Sequence, residues 1–127
     1  MKGFKIFKVS DLEGNAVEVA LEGQIGIEEA SEVSKFFEET LASKAYWYVV
    51  SLKGVEFIST AGVGALLYAV GGARKNGGEI VFIEFSPKTK AVFEFLDLHD
   101  FIVTAPDLAQ GIKAVDDIRS GARPRIT

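Results

Sequence analysis

The chain has 127 residues and a formal net charge of −4, which fits a single domain with one core and argues against general nucleic-acid binding. It contains no cysteine, so disulfide bonds, thiolate metal sites and cysteine nucleophiles are excluded. The N-terminus alternates instead of forming the apolar segment of a secretory signal, and no apolar run reaches the roughly 18 residues that cross a bilayer. We therefore expect a soluble, cytoplasmic protein.

The first part of the chain is predicted to form a β-hairpin. Apolar and polar residues alternate from Phe4 to Val9 and again from Ala16 onward, which is typical of half-buried strands. Between these runs, the stretch from Leu12 to Asn15 contains a Gly-Asn pair that is typical of a turn. The two strands are therefore expected to pair with each other.

After the hairpin, helical and strand patterns alternate. Apolar residues recur at three- and four-residue steps from Ile27 to Leu41, as in an amphipathic helix that has acidic residues in its first turn. The remaining predicted elements are a buried strand from Tyr46 to Leu52, a helix after Ser59 and Thr60, a buried strand from Glu79 to Phe85, a helix with Ser86 as its N-cap and Pro87 in its first position, a short strand from Phe101 to Thr104, and a closing helix that starts at Pro106 or Asp107.

This order of elements predicts an α/β fold. Because parallel strands need long crossover connections, we expect a mixed sheet of about five strands, in which the N-terminal antiparallel hairpin joins parallel βαβ units, with about four helices. We expect one domain over residues 1–119. The basic segment at residues 120–127 is predicted to be a flexible C-terminal tail.

Few residues of this chain are suited to catalysis. His99 is the sole histidine, and its position between a helix and a strand predicts an exposed turn residue rather than a member of a catalytic triad. A single histidine also argues against a zinc centre. The glycine-containing runs do not match phosphate-binding loops, which require Lys and Ser or Thr at set positions. We therefore predict that the protein is not an enzyme and needs no cofactor or metal.

The run "FISTAGVGALL", residues 57–67, places two adjacent hydroxyls, Ser59 and Thr60, between a strand and a helix. Either hydroxyl would cap the N-terminus of that helix. The other is then free, and a helix N-terminus tolerates a phosphate because its first N–H groups are unpaired. The pattern alone leaves open whether both residues serve the helix or one of them is also modified.

The helix that follows has almost no polar face, since no charged residue occurs from Ala61 to Gly72. Leu66, Leu67 and Val70 can face the sheet. The small or apolar residues that cannot all point inward as well are Gly62, Val63, Gly64, Ala65 and Ala69. We therefore expect an open apolar surface of the kind that binds a partner; the alternative is that another helix of the same domain covers it.

Three segments, "VVSLKGVEFISTAGVGALL", "GGEIVFIEFSP" and "VFEFLDLHDFIVTAPDLAQGI", resemble in order and spacing the STAS domain of bacterial anti-sigma factor antagonists. The resemblance implies a single STAS-like domain that binds an anti-sigma factor, which is a serine/threonine kinase of the histidine-kinase-like ATPase type. In that family the unphosphorylated antagonist binds the kinase and the phosphorylated form is released. The family's phosphoacceptor falls on Thr60, with Ser59 as the second choice, and its partner-facing helix on residues 62–70.

The family pattern also contains aspartates that this chain lacks, since Gly26, Ser51 and Ser59 stand at their positions. The residues expected to contact a partner are Gly26, Ser59, Thr60, Ala61, Gly62, Val63, Gly64, Ala65 and Ala69. Two alternatives stay open. The domain could be a scaffold that associates with itself or with a partner through the apolar helix without phosphorylation, or it could hold a small ligand in a pocket near Ser59, Thr60 and Gly26.

Overall fold

The computed structural model describes residues 3–126, and within that range it contains five strands and four helices that alternate after the first hairpin. In chain order these elements are β1 (Lys5–Leu12), β2 (Ala16–Ile25), α1 (Ile27–Ala42), β3 (Trp47–Ile58), α2 (Thr60–Lys75), β4 (Glu79–Ile83), α3 (Pro87–Phe95), β5 (Val103–Ala105) and α4 (Leu108–Ser120).

The strands form one sheet in the order β1-β2-β3-β4-β5. β1 pairs with β2 in antiparallel fashion, and the pairs β2–β3, β3–β4 and β4–β5 are parallel. The predicted mixed sheet is thus confirmed. The hairpin turn contains Gly14 at φ 72° and Asn15 at φ 60°, two residue types that adopt the left-handed region more easily than others.

Several strand bounds differ from the prediction. β1 covers Lys5–Leu12 rather than Phe4 to Val9, so Leu12 belongs to the strand and not to the turn. β3 continues six residues past Leu52 to Ile58 because its second half pairs with the end of β2, with register shifts that accommodate extra residues of β3. β4 ends at Ile83 rather than Phe85, since Glu84 has a left-handed φ of 56° that a strand cannot continue through. β5 begins at Val103 rather than Phe101, whose N–H instead donates to the carbonyl of Leu98.

Two apolar clusters lie on opposite faces of the sheet. Along β3, Tyr48 and Val50 join the larger cluster, which includes residues of α1, α2 and α3, whereas Val49 joins the smaller cluster under α4. This division follows from the pleat, which points successive side chains of a strand to opposite faces. The continuous apolar run of β3 therefore reflects burial on both sides.

The segment after α4 contacts the rest of the domain. The Arg123 N–H donates to the carbonyl of Asp117 at 3.0 Å, Arg125 Nη2 donates to the carbonyl of Gly78, and the Arg125 guanidinium lies 5.5 Å from the ring centroid of Trp47. The domain boundary at residue 119 and the flexibility of residues 120–127 stay predictions, and residue 127 lies outside the described range.

A buried ion pair joins the end of α2 to the start of β4. Glu79 is 1% exposed, and Arg74 Nε lies 3.0 Å from each of its carboxylate oxygens. Arg74 Nη2 also donates to the carbonyl of Phe101 at 2.9 Å. One guanidinium thus connects α2, β4 and the segment before β5.

We expect the substitution Arg74→Met to lower the free energy of unfolding by about 3 to 5 kcal/mol, because it leaves the carboxylate of Glu79 buried and unpaired. The double variant Arg74→Met/Glu79→Met removes both charges and should recover most of that loss. Urea denaturation of the two variants and the wild type measures the difference. Equal losses in both variants would contradict this account.

Candidate functional site

The ends of β2 and β3 place the start of α2 beside the start of α1. The Ser59 N–H donates to the carbonyl of Ile25 at 2.8 Å, which ties the residue after β3 to the last residue of β2. α1 begins two residues after Ile25, with Gly26 as its N-cap. The two helices pack against each other, so both helix N-termini lie at the carboxyl edge of the sheet.

Ser59 is the N-cap of α2. Its Oγ accepts a hydrogen bond from the N–H of Gly62 at 3.1 Å, and its backbone has the extended conformation typical of this position. The sequence left the choice between Ser59 and Thr60 open. The structure assigns the cap to Ser59, and its side-chain oxygen is therefore engaged within the chain.

Thr60 is the first residue of α2, and its side chain is exposed. Within residues 3–126 its hydroxyl makes no hydrogen bond. The first N–H groups of a helix lack intrahelical acceptors and carry partial positive charge. The free hydroxyl therefore stands where a phosphate group is electrostatically tolerated.

Four residues that were predicted to face a partner are buried instead, and that part of the predicted surface is wrong. These residues are Gly62, Val63, Ala65 and Ala69. They are covered because α1 packs along this side of α2 and the sheet lies below it. The alternative, in which a helix of the same domain covers much of the apolar helix, applies to this side.

The outward side of α2 is nevertheless open and uncharged. It carries Thr60, Ala61, Gly64, Tyr68 and Gly71, all exposed. Tyr68 is 72% exposed, and a Cβ built on Gly64 or Gly71 would meet no atom within 4 Å. We will call these five residues the outer face of α2.

Tyr68 is a surface residue that the sequence reasoning missed. Residues 61, 64, 68 and 71 follow the three- and four-residue steps of one helix face, so this spacing was the signal that could have found it. The apolar character of the whole helix hid that signal, since both faces consist of apolar and small residues.

Glutamates lie near two positions where the family pattern has aspartate. Glu29 Oε1 accepts the N–H of Gly26 at 3.0 Å, and a Cβ at position 26 would lie 2.9 Å from that oxygen. Ser51 Oγ donates to Glu84 Oε1 at 3.0 Å. Carboxylates supplied by neighbouring elements thus contact both positions. Among residues 3–126 no carboxylate forms a hydrogen bond with Ser59, whose side chain caps α2.

The larger clefts of the described residues do not reach the start of α2. Five clefts of about 300 to 550 Å³ lie elsewhere on the described residues, and Gly26, Ser59 and Thr60 do not line them. No group of three or more His, Asp or Glu residues within residues 3–126 is placed to hold a metal ion. His99 is an exposed turn residue, as predicted, with its side chain 64% exposed near Asp97 and Asp100.

None of the helices within residues 3–126 combines the length and the apolar character that crossing a bilayer requires.

Comparison with known proteins places this architecture in a family. A family model described as "Mlab, STAS domain" matches residues 9–104, which is more than half of the chain. Among curated protein sequences, none matches significantly. The chain belongs to the STAS domain family.

Solved structures share the fold at low sequence identity. An anti-sigma factor antagonist from Mycobacterium paratuberculosis superposes with a TM-score of 0.76 at 20% identity, over 89% of this chain and 96% of that chain. RsbS from Moorella thermoacetica gives a TM-score of 0.67 at 19% identity, over 94% and 99% of the two chains. The Bacillus cell fate determinant SpoIIAA in its phosphorylated form gives 0.63 at 19% identity, over 92% and 100%.

The recognised resemblance to STAS domains and the α/β fold are thereby confirmed. Several of the structures that share the fold are described as anti-sigma factor antagonists. At this level of identity they show the shared fold.

We expect Ser59→Ala and Thr60→Ala to affect stability very differently. Ser59→Ala removes the cap of α2 and should lower the free energy of unfolding by about 1 kcal/mol. Thr60→Ala removes an exposed hydroxyl without a partner and should change it by less than about 0.5 kcal/mol. Thermal and urea unfolding measure both. A larger loss for Thr60→Ala than for Ser59→Ala would show that the cap is assigned to the wrong residue.

Proposed function

We propose that this protein is a cytoplasmic regulator of transcription of the anti-sigma factor antagonist type. It binds an anti-sigma factor that is also a serine/threonine kinase of the histidine-kinase-like ATPase type, and phosphorylation of Thr60 ends that binding. The observation that carries the proposal is the contrast between two adjacent hydroxyls. Ser59 is bonded to Gly62 as the cap, whereas Thr60 is exposed at the first position of the helix.

The phosphorylation reaction needs only one reacting group from this chain. The Thr60 oxygen attacks the γ-phosphorus of ATP held by the partner, the bond between the β- and γ-phosphates breaks, and ADP leaves. The hydroxyl proton passes to a base of the partner. This chain supplies the acceptor oxygen and the surface that docks, and the partner supplies the nucleotide and the base.

Phosphorylation would change the charge at the rim of the outer face of α2. A phosphothreonine carries about −1.5 to −2 charges at neutral pH. The helix has no basic residue before Arg74, near its far end, so no cation of its own first turns neutralises that charge. Docking of an apolar partner surface would then require desolvation of a dianion, which weakens the complex.

The relatives support this proposal by analogy. A phosphorylated form is described for SpoIIAA, and the structures that share this fold include anti-sigma factor antagonists. Their identity to this chain is low. The proposal that this chain is phosphorylated therefore depends on the Thr60 hydroxyl itself, which is exposed and makes no hydrogen bond within residues 3–126.

A second candidate function keeps the docking surface and drops the covalent switch. Gly64 and Gly71 lie in the interior of α2, where each glycine costs about 0.5 to 1 kcal/mol relative to alanine. No contact within the domain requires a glycine there, because a Cβ at either position would meet open space. Their absence of side chains would let another helix, from a partner or a second copy, approach the backbone of α2 closely. The missing aspartates also favour this candidate.

The Thr60 switch predicts the following outcome. Incubation with its partner kinase and ATP should place phosphate on Thr60 and weaken the complex about tenfold or more, because a dianion enters the apolar contact. Thr60→Glu should weaken binding in the same direction, and Thr60→Ala should bind without release. Phosphate-mapping mass spectrometry and calorimetry measure the two effects.

Thr104 provides a matched control, since it is an exposed threonine on β5. Thr104→Ala and Thr104→Glu should leave both phosphorylation and binding unchanged. Phosphate on a residue other than Thr60, or release that persists in Thr60→Ala, would reject the switch.

Substitution of Gly64 or Gly71 by alanine should affect folding stability and association in opposite directions. Gly64→Ala and Gly71→Ala should each raise the free energy of unfolding by about 0.5 to 1 kcal/mol while weakening binding of the partner, or of a second copy, several-fold. Asp116→Ala on α4, on the other side of the sheet, controls for added helix propensity, because Asp116 is exposed and aspartate is a weaker helix former than alanine. If both glycine variants bind as tightly as the wild type, the outer face is not the docking surface.

A further inference from the structure

Trp47, the only tryptophan in the chain, carries two guanidinium groups near its ring. Arg119 lies 4.8 Å and Arg125 5.5 Å from the ring centroid. Trp47 is the first residue of β3, whereas Ser59 follows the last residue of the same strand. This arginine pair is thus separated from Thr60 by the length of a 12-residue strand, so it is independent of the proposed function.

The Arg119 guanidinium has hydrogen-bond donors without acceptors. Its Nε and Nη2 atoms are buried, and they make no hydrogen bond. Its Nη1 packs on the hairpin turn, in the space that a Cβ at Gly14 would occupy. Buried N–H groups almost always have an acceptor, either in the protein or in ordered water, and no group within residues 3–126 accepts from these two donors.

The two unpaired donors belong to one edge of the guanidinium. The N–H of Nε and one N–H of Nη2 point in the same direction, and this edge forms two parallel hydrogen bonds to the oxygens of a carboxylate or a phosphate. Two donors left unpaired on the same edge therefore match a single oxyanion better than two separate acceptors.

Within residues 3–126 no carboxylate forms an ion pair with Arg119 or Arg125. The nearby carboxylate of Asp117 pairs with Lys113 at 2.8 Å. Two guanidinium groups against one ring repel each other, and an anion between or beside them would relieve that repulsion.

Access to this edge involves the segment after α4. The segment is held by the bond from the Arg123 N–H to the carbonyl of Asp117 and by Arg125, which contacts Trp47 and the carbonyl of Gly78. Ile126 also packs against the apolar cluster under α4. Movement of this segment would take Arg125 off the ring of Trp47 beside Arg119.

We propose that the side-on edge of Arg119, backed by Trp47 and accompanied by Arg125, binds one small oxyanion, the phosphate or carboxylate group of a ligand. The bound group accepts both orphaned N–H groups and compensates the paired positive charges. The C-terminal segment shifts when the anion enters.

The fluorescence of Trp47 tests this proposal in the full-length protein. We expect a saturable change on titration with sodium phosphate, at an ionic strength held constant with sodium chloride. A separate titration with sodium acetate distinguishes the two ligand groups, since saturation by only one of them assigns the site to that group. Saturation by neither, or an identical change with chloride alone, would overturn the proposal.

Two conservative variants distinguish binding by the guanidinium edge of Arg119 from binding by its positive charge alone. Arg119→Lys keeps the charge but cannot present two parallel N–H groups, and it should weaken binding at least tenfold. Arg123→Lys changes an exposed arginine whose side chain is not placed on Trp47, and it should bind like the wild type. Equal affinity in Arg119→Lys and the wild type would reject the site.

A second measurement covers the case in which Arg119→Lys folds poorly. In ¹⁵N-labelled wild-type protein, the Nε–H resonance of Arg119 should move progressively as phosphate or acetate is added, with the same midpoint as the fluorescence change. A resonance that stays in place while the fluorescence changes would place the anion elsewhere and overturn the assignment.

Discussion

The close approach of α2 to the ends of β2 and β3 at Gly62 is the contact on which the candidate surface depends. A Cβ at this position would lie 2.8 Å from Ile25 Cγ2 and 2.9 Å from Ile58 Cγ1, so a side chain there would push the helix away from the sheet. The bond from the Ser59 N–H to the carbonyl of Ile25 holds the same junction. Together these contacts set where the helix starts and turn Thr60 outward.

This junction also explains why the two sides of one nearly uncharged helix differ. Its inner side is buried between the sheet and α1, and it needs apolar residues for that reason alone. Its outer side has no such need, yet it carries Gly64, Gly71 and the exposed Tyr68. Burial therefore explains why the inner side of the helix is apolar. It does not explain the two glycines and the tyrosine of the outer side, which require a functional explanation.

The strand β3 connects the two proposed sites. At its carboxyl end the free hydroxyl of Thr60 lies beside an uncharged face, and at its amino end the guanidinium of Arg119 lies on Trp47 with two unpaired donors. The first place is the proposed phosphorylation site and the second is the proposed oxyanion site. Both follow from the parallel sheet, which gathers helix N-termini at one edge and helix C-termini at the other.

The sequence by itself determined the fold class, the N-terminal hairpin, the order of elements and the cap of α3 at Ser86, because these depend on alternation and on hydrogen bonds within a few residues. It also located the hydroxyl pair of the candidate site. Tertiary structure alone decided the rest. The extension of β3 requires pairing with β2, the burial of Ala65 and its neighbours requires the packing of α1, and the stacking on Trp47 joins residues over 70 positions apart. Contacts between such distant residues leave no local pattern, so they could not be read from the chain.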